Sequence, residues 1–212
     1  VFYGYRVDGI IQEGQDPGFI DPDGLKDRPG ELKYVDLTGD YAITPEDRCI
    51  IGDPNPDFTA SLNLSLRWKN LDFSISTNYS IGGKNYDGVY YEFMSCYYTA
   101  QAKHKDMLRA WRKPGDVTDV PKYTIGETPI VTDDKLVDAS YFSIKNITLG
   151  YTLPRRWTSK IGFKAARVSA SVDNLCIFTH LKGMDPQYSL TGGTSYAYAP
   201  TRTVSFNLDL KF

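Results

Sequence analysis

The last twelve residues of the chain, Thr201 to Phe212, alternate between apolar and polar side chains. The apolar side chains are Val204, Phe206, Leu208, Leu210 and Phe212. Alternation with a period of two is typical of a β-strand that meets water on one face and an apolar phase on the other. The segment also has the roughly 9–11 residues that a strand needs to cross the hydrocarbon core of a membrane. It therefore fits either a membrane-spanning strand or an amphipathic strand of a soluble β-sandwich.

Five further segments are predicted to be strands. Residues 57–68 and 71–82 alternate throughout and are joined by the two-residue turn Lys69-Asn70, which predicts a hairpin. Residues 140–153 and 166–179 also alternate, but the apolar phase shifts near Lys145-Asn146 and again near Asn174, and a bulge accounts for the first shift. Aromatic and β-branched residues predict another strand over 1–13. One helix is predicted, over residues 99–112, because Pro114 would end it.

The connections between these six segments alternate in length. They are long, two residues, long, short and long in chain order. Outer-membrane barrels alternate short periplasmic turns with long outer loops, whereas a soluble sandwich has no reason to do so. Six strands are fewer than the eight of the smallest bacterial barrels. The sequence thus predicts an all-β fold, an antiparallel transmembrane β-barrel to which residues 1–212 contribute the C-terminal strands and long extracellular loops.

Composition restricts the classes of function. No run of 18 apolar residues occurs, so no transmembrane helix is predicted. A net charge of -2 gives no basic surface for nucleic acid. The chain has two histidines and neither G-x-S-x-G nor H-E-x-x-H, so no enzyme activity is predicted. The alternative to the barrel is a soluble, extracellular, β-rich carbohydrate-binding module, which requires the apolar face of Leu62, Leu64 and Leu66 to be covered by protein.

Several segments together resemble the SusC/RagA family of TonB-linked outer-membrane transporters. They read FYGYRVDGIIQ, GELKYVDLTGDYAITPEDRCIIGDPNPDF, ASYFSIKNITLGYTLP, RVSASVDNLCIFTHLKGMDPQ and PTRTVSFNLDLKF, and they follow the order of the family. The resemblance implies a barrel of about twenty-two strands in the bacterial outer membrane, with an N-terminal plug that this chain lacks. It also implies import of glycans or peptides, energy relayed through TonB and a SusD-type lipoprotein as partner.

An acidic loop follows residue 35 and is the one candidate metal site. Its oxygen-bearing side chains, Asp36, Thr38, Asp40 and Asp47, occupy positions 1, 3, 5 and 12, which is the spacing of a calcium-binding loop. Tyr41 stands at position 6, where the sharp turn of such loops requires glycine. The alternative, which we favour, is a turn whose Asp side chains accept hydrogen bonds from nearby backbone groups. The only cofactor to consider is therefore calcium.

The remaining candidates lie in the predicted outer loops and in the last strand. Tyrosines in the loops can stack on a substrate or pack against a partner protein; they are Tyr86, Tyr90, Tyr91, Tyr196 and Tyr198. By the resemblance, Phe206, Leu208, Leu210 and Phe212 form the signal that the barrel-assembly machinery recognises. A disulfide between Cys49 and Cys96 is conceivable, because both fall outside the predicted barrel strands.

Overall fold

The computed structural model describes residues 1–20, 28–95, 97, 101–125, 130–182, 185–188 and 200–212. In these residues the strands are, in chain order, β1 Phe2–Gly4, β2 Val7–Ile10, β3 Leu32–Tyr34, β4 Cys49–Gly52, β5 Phe58–Trp68, β6 Leu71–Ile81, β7 Lys84–Tyr86, β8 Leu136–Asp138, β9 Tyr141–Thr152, β10 Ala165–Thr179 and β11 Thr203–Lys211. The α-helices are α1 Gly88–Met94 and α2 Arg155–Thr158. Short 3-10 helices cover Pro45–Asp47, Lys105–Arg109, Asp133–Lys135, Ser159–Ile161 and Pro186–Tyr188.

The chain forms two compact units. The sheet unit comprises Pro56–Gly82, Ala139–His180 and Ala197–Phe212. The loop unit comprises Val1–Asn55, Gly83–Asp138 and Leu181–Tyr196. Every long strand belongs to the sheet unit, and the three two-stranded ribbons, β1 with β4, β2 with β3 and β7 with β8, belong to the loop unit.

The sheet unit is an antiparallel sheet in the order β5-β6-β9-β10-β11, so each long strand pairs with the next one along the chain. Its strands fall where the alternation in residues 57–68, 71–82, 140–153, 166–179 and 201–212 predicts them. The predicted hairpin turn is confirmed, because Trp68 faces Leu71 across it and Lys69 takes a positive φ of 53°. Within the described residues this sheet has two edges, β5 and β11, so closure into a barrel stays a prediction.

The predicted shift of the apolar phase in β9 is confirmed. Asn146 faces Ser76 and Ile144 faces Thr77, so Lys145 is the extra residue of a bulge in β9. The register of β10 also shifts between Asp173 and Cys176, where Asn174 has a φ of 50°. The predicted phase shift there is wrong, because Cys176 and Phe178 stay on the same face as Val172. An extra residue reverses the side-chain alternation. The bulge at Lys145 therefore keeps apolar side chains on the same face of the sheet along the whole of β9.

One face of the sheet is apolar and exposed. Along β5, Leu62, Leu64 and Leu66 are 62%, 41% and 55% exposed, and on β11 Phe206 is 80% exposed. The register places these residues in rows that continue across the sheet, for example from Leu66 to Phe73 and Leu149. Water-soluble proteins rarely expose apolar surface that extends across a whole sheet, so this face requires an apolar neighbour.

The opposite face is polar and carries a paired cluster of charged groups. Arg167 donates to both carboxylate oxygens of Asp72, with an Nη2–Oδ2 distance of 2.6 Å, and lies 3.4 Å from Asp209. Asn146 donates to Asp173 at 2.7 Å. Hydrogen bonds between neighbouring strands give these polar side chains the partners that they need. On the apolar face the same side chains would have no such partners. The sheet thus has one face that suits an apolar phase and one that suits water.

The predicted strand over residues 1–13 is wrong as a single strand of this sheet. Those residues form β1 and β2, which pair with different partners in the loop unit, β4 and β3. Between them the buried Tyr5 bonds through its backbone to Val131 and Asp133. Gly9 has a φ of 92°, outside the extended region. The contacts of Tyr5 break the segment between β1 and β2, and Gly9 makes the pairing within β2 irregular, although the composition favours a strand.

The predicted helix over residues 99–112 is also wrong. In the described part of this range, 101–112, Lys105–Arg109 forms a short 3-10 helix, and the α-helix α1 lies earlier in the chain. Asp87 begins α1 by accepting a hydrogen bond from the backbone N–H of Tyr90. That is the role of an N-cap carboxylate, which satisfies N–H groups that the first turn leaves free. The cap therefore fixes where the two tyrosines of α1 lie.

Candidate functional site

Helix α1 carries Tyr90, which lies at the centre of a charged cluster in the loop unit. Its hydroxyl donates to Asp106 at 2.8 Å, and the Lys182 ammonium donates to the same carboxylate oxygen at 2.9 Å. The Lys182 Nζ also lies 4.9 Å from the centre of the Tyr90 ring, and the His104 ring packs edge-on at 4.9 Å. A cation over an aromatic face and a shared carboxylate each stabilise this arrangement.

The cluster holds a fixed negative charge at Asp106. The hydrogen bond from Lys182, together with that from Tyr90, lowers the pKa of Asp106 to about 2 although partial burial opposes the shift. Burial, reinforced by the bond to Asp106, raises the pKa of Tyr90. The carboxylate therefore stays ionised and the phenol stays protonated across the physiological pH range, and Tyr90 is held by its hydroxyl.

Tyr86 and Tyr91 form a stacked pair beside this cluster. Their ring centres lie 6.0 Å apart at an interplanar angle of 28°, and the Tyr90 ring meets Tyr91 edge-on at 5.2 Å. The Tyr91 hydroxyl donates to the backbone carbonyl of Asp134 at 2.7 Å. Burial, followed by the nearby charge of Asp134, raises the pKa of Tyr91. The structure therefore brings together three of the tyrosines that the sequence nominated.

These tyrosines line a cavity of about 330 Å³ whose walls belong to the loop unit. Aromatic and apolar side chains dominate the lining and include Tyr34, Tyr86, Tyr90, Tyr91, Tyr97, Met94, Met107, Val120, Pro121 and Ile130. Two charged residues of the lining form ion pairs, Lys122 with Glu31 at 3.1 Å and Asp119 with Arg109 at 2.9 Å. The cavity is therefore suited to an uncharged ring or an apolar side chain.

Two of the five nominated tyrosines, Tyr196 and Tyr198, lie outside the described residues. Cys96 does too, and Cys49 is a free thiol. The proposed assembly signal lies on the exposed face of β11 and just beyond it, with Phe212 packed edge-on against Phe163 at 5.0 Å.

The sequence gives no sign of the roles of Asp106, His104 and Lys182, which hold Tyr90 in place. Lys182 is 76 residues from Asp106 in the chain. No local pattern links an isolated lysine to a carboxylate at that separation. Only Asp87 left a recognisable signal, since an aspartate directly before Gly88-Val-Tyr-Tyr is a typical N-cap.

The acidic loop is organised by backbone hydrogen bonds. Asp36 accepts from the N–H groups of Gly39 and Tyr41, both at 2.7 Å. The fully buried Asp47 accepts from the N–H groups of Leu37, Thr38 and Thr44. Among the described residues, no group of three or more Asp, Glu, His or Cys side chains is arranged to hold a metal ion. These contacts support the turn, and calcium binding stays a prediction.

The loop depends on the charge of Asp47. Hydrogen bonds from backbone N–H groups, that of Thr44 foremost, lower the pKa of Asp47 to about 2 although burial opposes the shift. Because the folded pKa lies below the ordinary value of 3.8, the stabilising effect of this group is complete above pH 3.8 and is lost as pH falls towards 2.

Replacing Asp47 with Asn is expected to lower the hydrogen-exchange protection of the Leu37, Thr38 and Thr44 amides by about tenfold or more at pH 7, since bonds to a charged acceptor are the strong ones. Exchange measured by mass spectrometry on the full-length protein, corrected for the intrinsic rates, tests this. The matched control is Asp40→Asn, because the Asp40 side chain accepts one backbone bond, from Ala42, at an exposed position. Equal protection in both variants would contradict the role given to Asp47.

Among the described residues, no helix has the length and apolar character required to span a membrane. No protein-family model matches the chain. The chain is similar over its whole length to TonB-dependent receptor P3 of Formosa agariphila, at 36% identity over 223 residues, which is 22% of that receptor. It is 30% identical over 186 residues to TonB-dependent receptor SusC of Bacteroides thetaiotaomicron, a match that covers 87% of this chain and 18% of SusC.

Solved structures also show that the chain is similar to part of a much longer transporter. All of the chain superimposes on 23% of a chain in the structure of the RagAB peptide transporter, with a TM-score of 0.76 and 25% identity. It also superimposes on 22% of a chain of the RagAB peptide importer in its open-open state, with a TM-score of 0.74 and 25% identity. The chain thus spans about a fifth of the length of the proteins it matches.

Proposed function

Because the chain belongs to the SusC/RagA family of TonB-dependent receptors, we propose that it supplies strands and outer loops to an outer-membrane transporter that imports nutrients. TonB supplies the energy for this transport through parts of the protein other than these residues. The relatives carry the names of receptors and transporters and not of enzymes, and we propose no catalytic step.

One observation carries the proposal, the two-faced sheet. Its exposed apolar face suits lipid, and its polar face, with Arg167 paired to Asp72 and Asp209, suits a water-filled lumen. The soluble alternative requires a protein cover over Leu62, Leu64 and Leu66, yet all three are exposed. The geometry therefore favours a membrane wall over a soluble binding module.

We assign the substrate contact to the tyrosine-lined cavity. RagAB is a peptide transporter by name, and an oligosaccharide or a peptide both present rings or apolar groups that stack on aromatic faces. A SusD-like lipoprotein covers the outer side of the transporter and holds the substrate over the loop unit.

Uptake by cells that carry the full-length gene tests this function. Labelled oligosaccharides and peptides are offered to the wild type and to a strain without TonB, and uptake of one class is expected to disappear without TonB. In the same uptake assay, replacing Tyr86 with Ala is expected to raise the half-saturating substrate concentration at least about fivefold, because the substrate loses one aromatic contact. The matched control is Tyr123→Ala, a half-exposed tyrosine that does not line the cavity. TonB-independent uptake would overturn the proposal.

A further inference from the structure

The edge of the sheet unit that carries its short connections is basic and aromatic. The β5–β6 turn and the β9–β10 connector meet there, since the N–H of Thr152 donates to the carbonyl of Asn70 at 2.8 Å. The end of β11 joins them through the N–H of Lys164, which donates to the carbonyl of Lys211 at 2.8 Å. We call this region the basic edge; it comprises residues 68–70, 153–164 and 211–212.

The β9–β10 connector folds so that its cationic and aromatic side chains point outwards. Thr158 is fully buried and its carbonyl accepts from the N–H of Phe163 at 3.0 Å. Around this anchor, Trp157 and Ile161 are 50% and 64% exposed. A connector of a soluble protein would normally bury such large apolar side chains or replace them with polar ones. Here they stand beside exposed Arg and Lys, which is the composition of a membrane interface.

The positive charge of the basic edge is not neutralised within the described residues. Six exposed cations lie on it: Lys69, Arg155, Arg156, Lys160, Lys164 and Lys211. None of them forms an ion pair with a described carboxylate, and Lys69 and Arg156 instead lie over the rings of Trp68 and Trp157. The nearest acidic side chains of the sheet, Asp72 and Asp209, are both engaged by Arg167.

We propose that the basic edge binds the headgroups of anionic phospholipids. Indole rings lie preferentially at the level of the headgroups, and Lys and Arg are attracted to a negatively charged leaflet. A surface that combines tryptophans with unpaired cations is therefore suited to bind a lipid phosphate. This inference rests on the proposed function, because the edge meets lipid headgroups only if the apolar face of the sheet lies in the membrane.

Spin-labelled phospholipids measure whether the protein prefers an anionic lipid to a zwitterionic one. The full-length protein is reconstituted in phosphatidylethanolamine vesicles, and the fraction of motionally restricted label is compared for phosphatidylglycerol and phosphatidylethanolamine. We expect wild-type protein to favour phosphatidylglycerol by about threefold or more at low salt and less at 1 M salt, because salt screens charge. Arg156→Gln/Lys160→Gln is expected to reduce the preference by half or more.

Two controls make the result decisive. Lys105→Gln/Lys113→Gln removes two exposed cations from the loop unit and should leave the preference unchanged, and Arg156→Lys should retain it because the charge remains. No preference in the wild type, or an equal preference in the Gln variant of the basic edge, would overturn the proposal. Loss of the preference on adding inorganic phosphate at constant ionic strength would also overturn the proposal, since the site would then bind the free ion.

Heat-modifiable migration on a gel reports separately whether the protein inserts into the bilayer. Protein that never inserts contradicts the proposed function, whereas inserted protein without a lipid preference contradicts this inference alone.

Discussion

Replacing Leu64 with Arg is expected to destabilise the folded protein in a bilayer by about 2–4 kcal/mol, which is the cost of a cationic side chain on the lipid face near the middle of a barrel strand. Leu64 lies near the centre of β5 and is 41% exposed on the apolar face. An arginine there must either enter the hydrocarbon or distort the sheet to reach water. The measurement is the urea concentration at which the full-length protein in vesicles loses its heat-modifiable form.

The matched control is Ser65→Arg, one residue further along the same strand. Ser65 pairs with Ser74 on the polar face, where an arginine remains hydrated, so the change is expected to cost less than about 1 kcal/mol. The contrast between two neighbouring positions removes effects of arginine on expression or on strand propensity. Equal destabilisation at both positions would show that the two faces of β5 do not meet different solvents.

Replacing Gly150 with Ala is expected to cost about 1–3 kcal/mol, the usual range for forcing an extra methyl group into a filled space. Gly150 of β9 lies between Asp72 on β6 and Ser169 on β10. A Cβ atom at Gly150 would overlap the Asp72 carboxylate and the Arg167 guanidinium, which bond to each other above the glycine. The Asp72 carboxylate and the Arg167 guanidinium would both have to shift, although both side chains are partly buried.

A double-mutant cycle separates this steric effect from a general effect on the strand. In a background with Asp72→Ser, the carboxylate that the new methyl group would meet is absent, so Gly150→Ala is expected to cost at least about 1 kcal/mol less than in the wild type. Urea titration of the four proteins in vesicles gives the coupling. Additive effects would contradict the packing of the ion pair over Gly150.

The long strands could be predicted from sequence because their signal is local. A period of two over Phe58–Trp68 and Leu71–Ile81 requires no knowledge of the partner strand, and the phase shift near Lys145 marks a bulge without any structure. The two-faced character of the sheet follows from the same alternation. The antiparallel all-β class could therefore be predicted from the alternation, whereas the family is predicted from the resemblance of several segments to the SusC/RagA family.

The loop unit could not be predicted in the same way, because contacts between distant segments determine it. Residues 1–13 have strand composition, but a break at Tyr5 divides them between two partners, β4 and β3. The cluster around Tyr90 requires Asp106 and Lys182, which lie 76 residues apart in the chain. The tyrosines are recognisable in the sequence by residue type, but the sequence does not show which of them share a cavity.

Whether the sheet separates lipid from water is tested most directly by spin labels placed one at a time from residue 62 to residue 66 of β5 in the reconstituted full-length protein. Labels at Leu62, Leu64 and Leu66 are expected to collide with oxygen, which concentrates in lipid. Labels at Asn63 and Ser65 are expected to collide with a water-soluble nickel chelate, so that accessibility alternates with a period of two. Equal access of the nickel chelate to all five positions, or protection of the leucine positions from both reagents, would contradict a membrane wall.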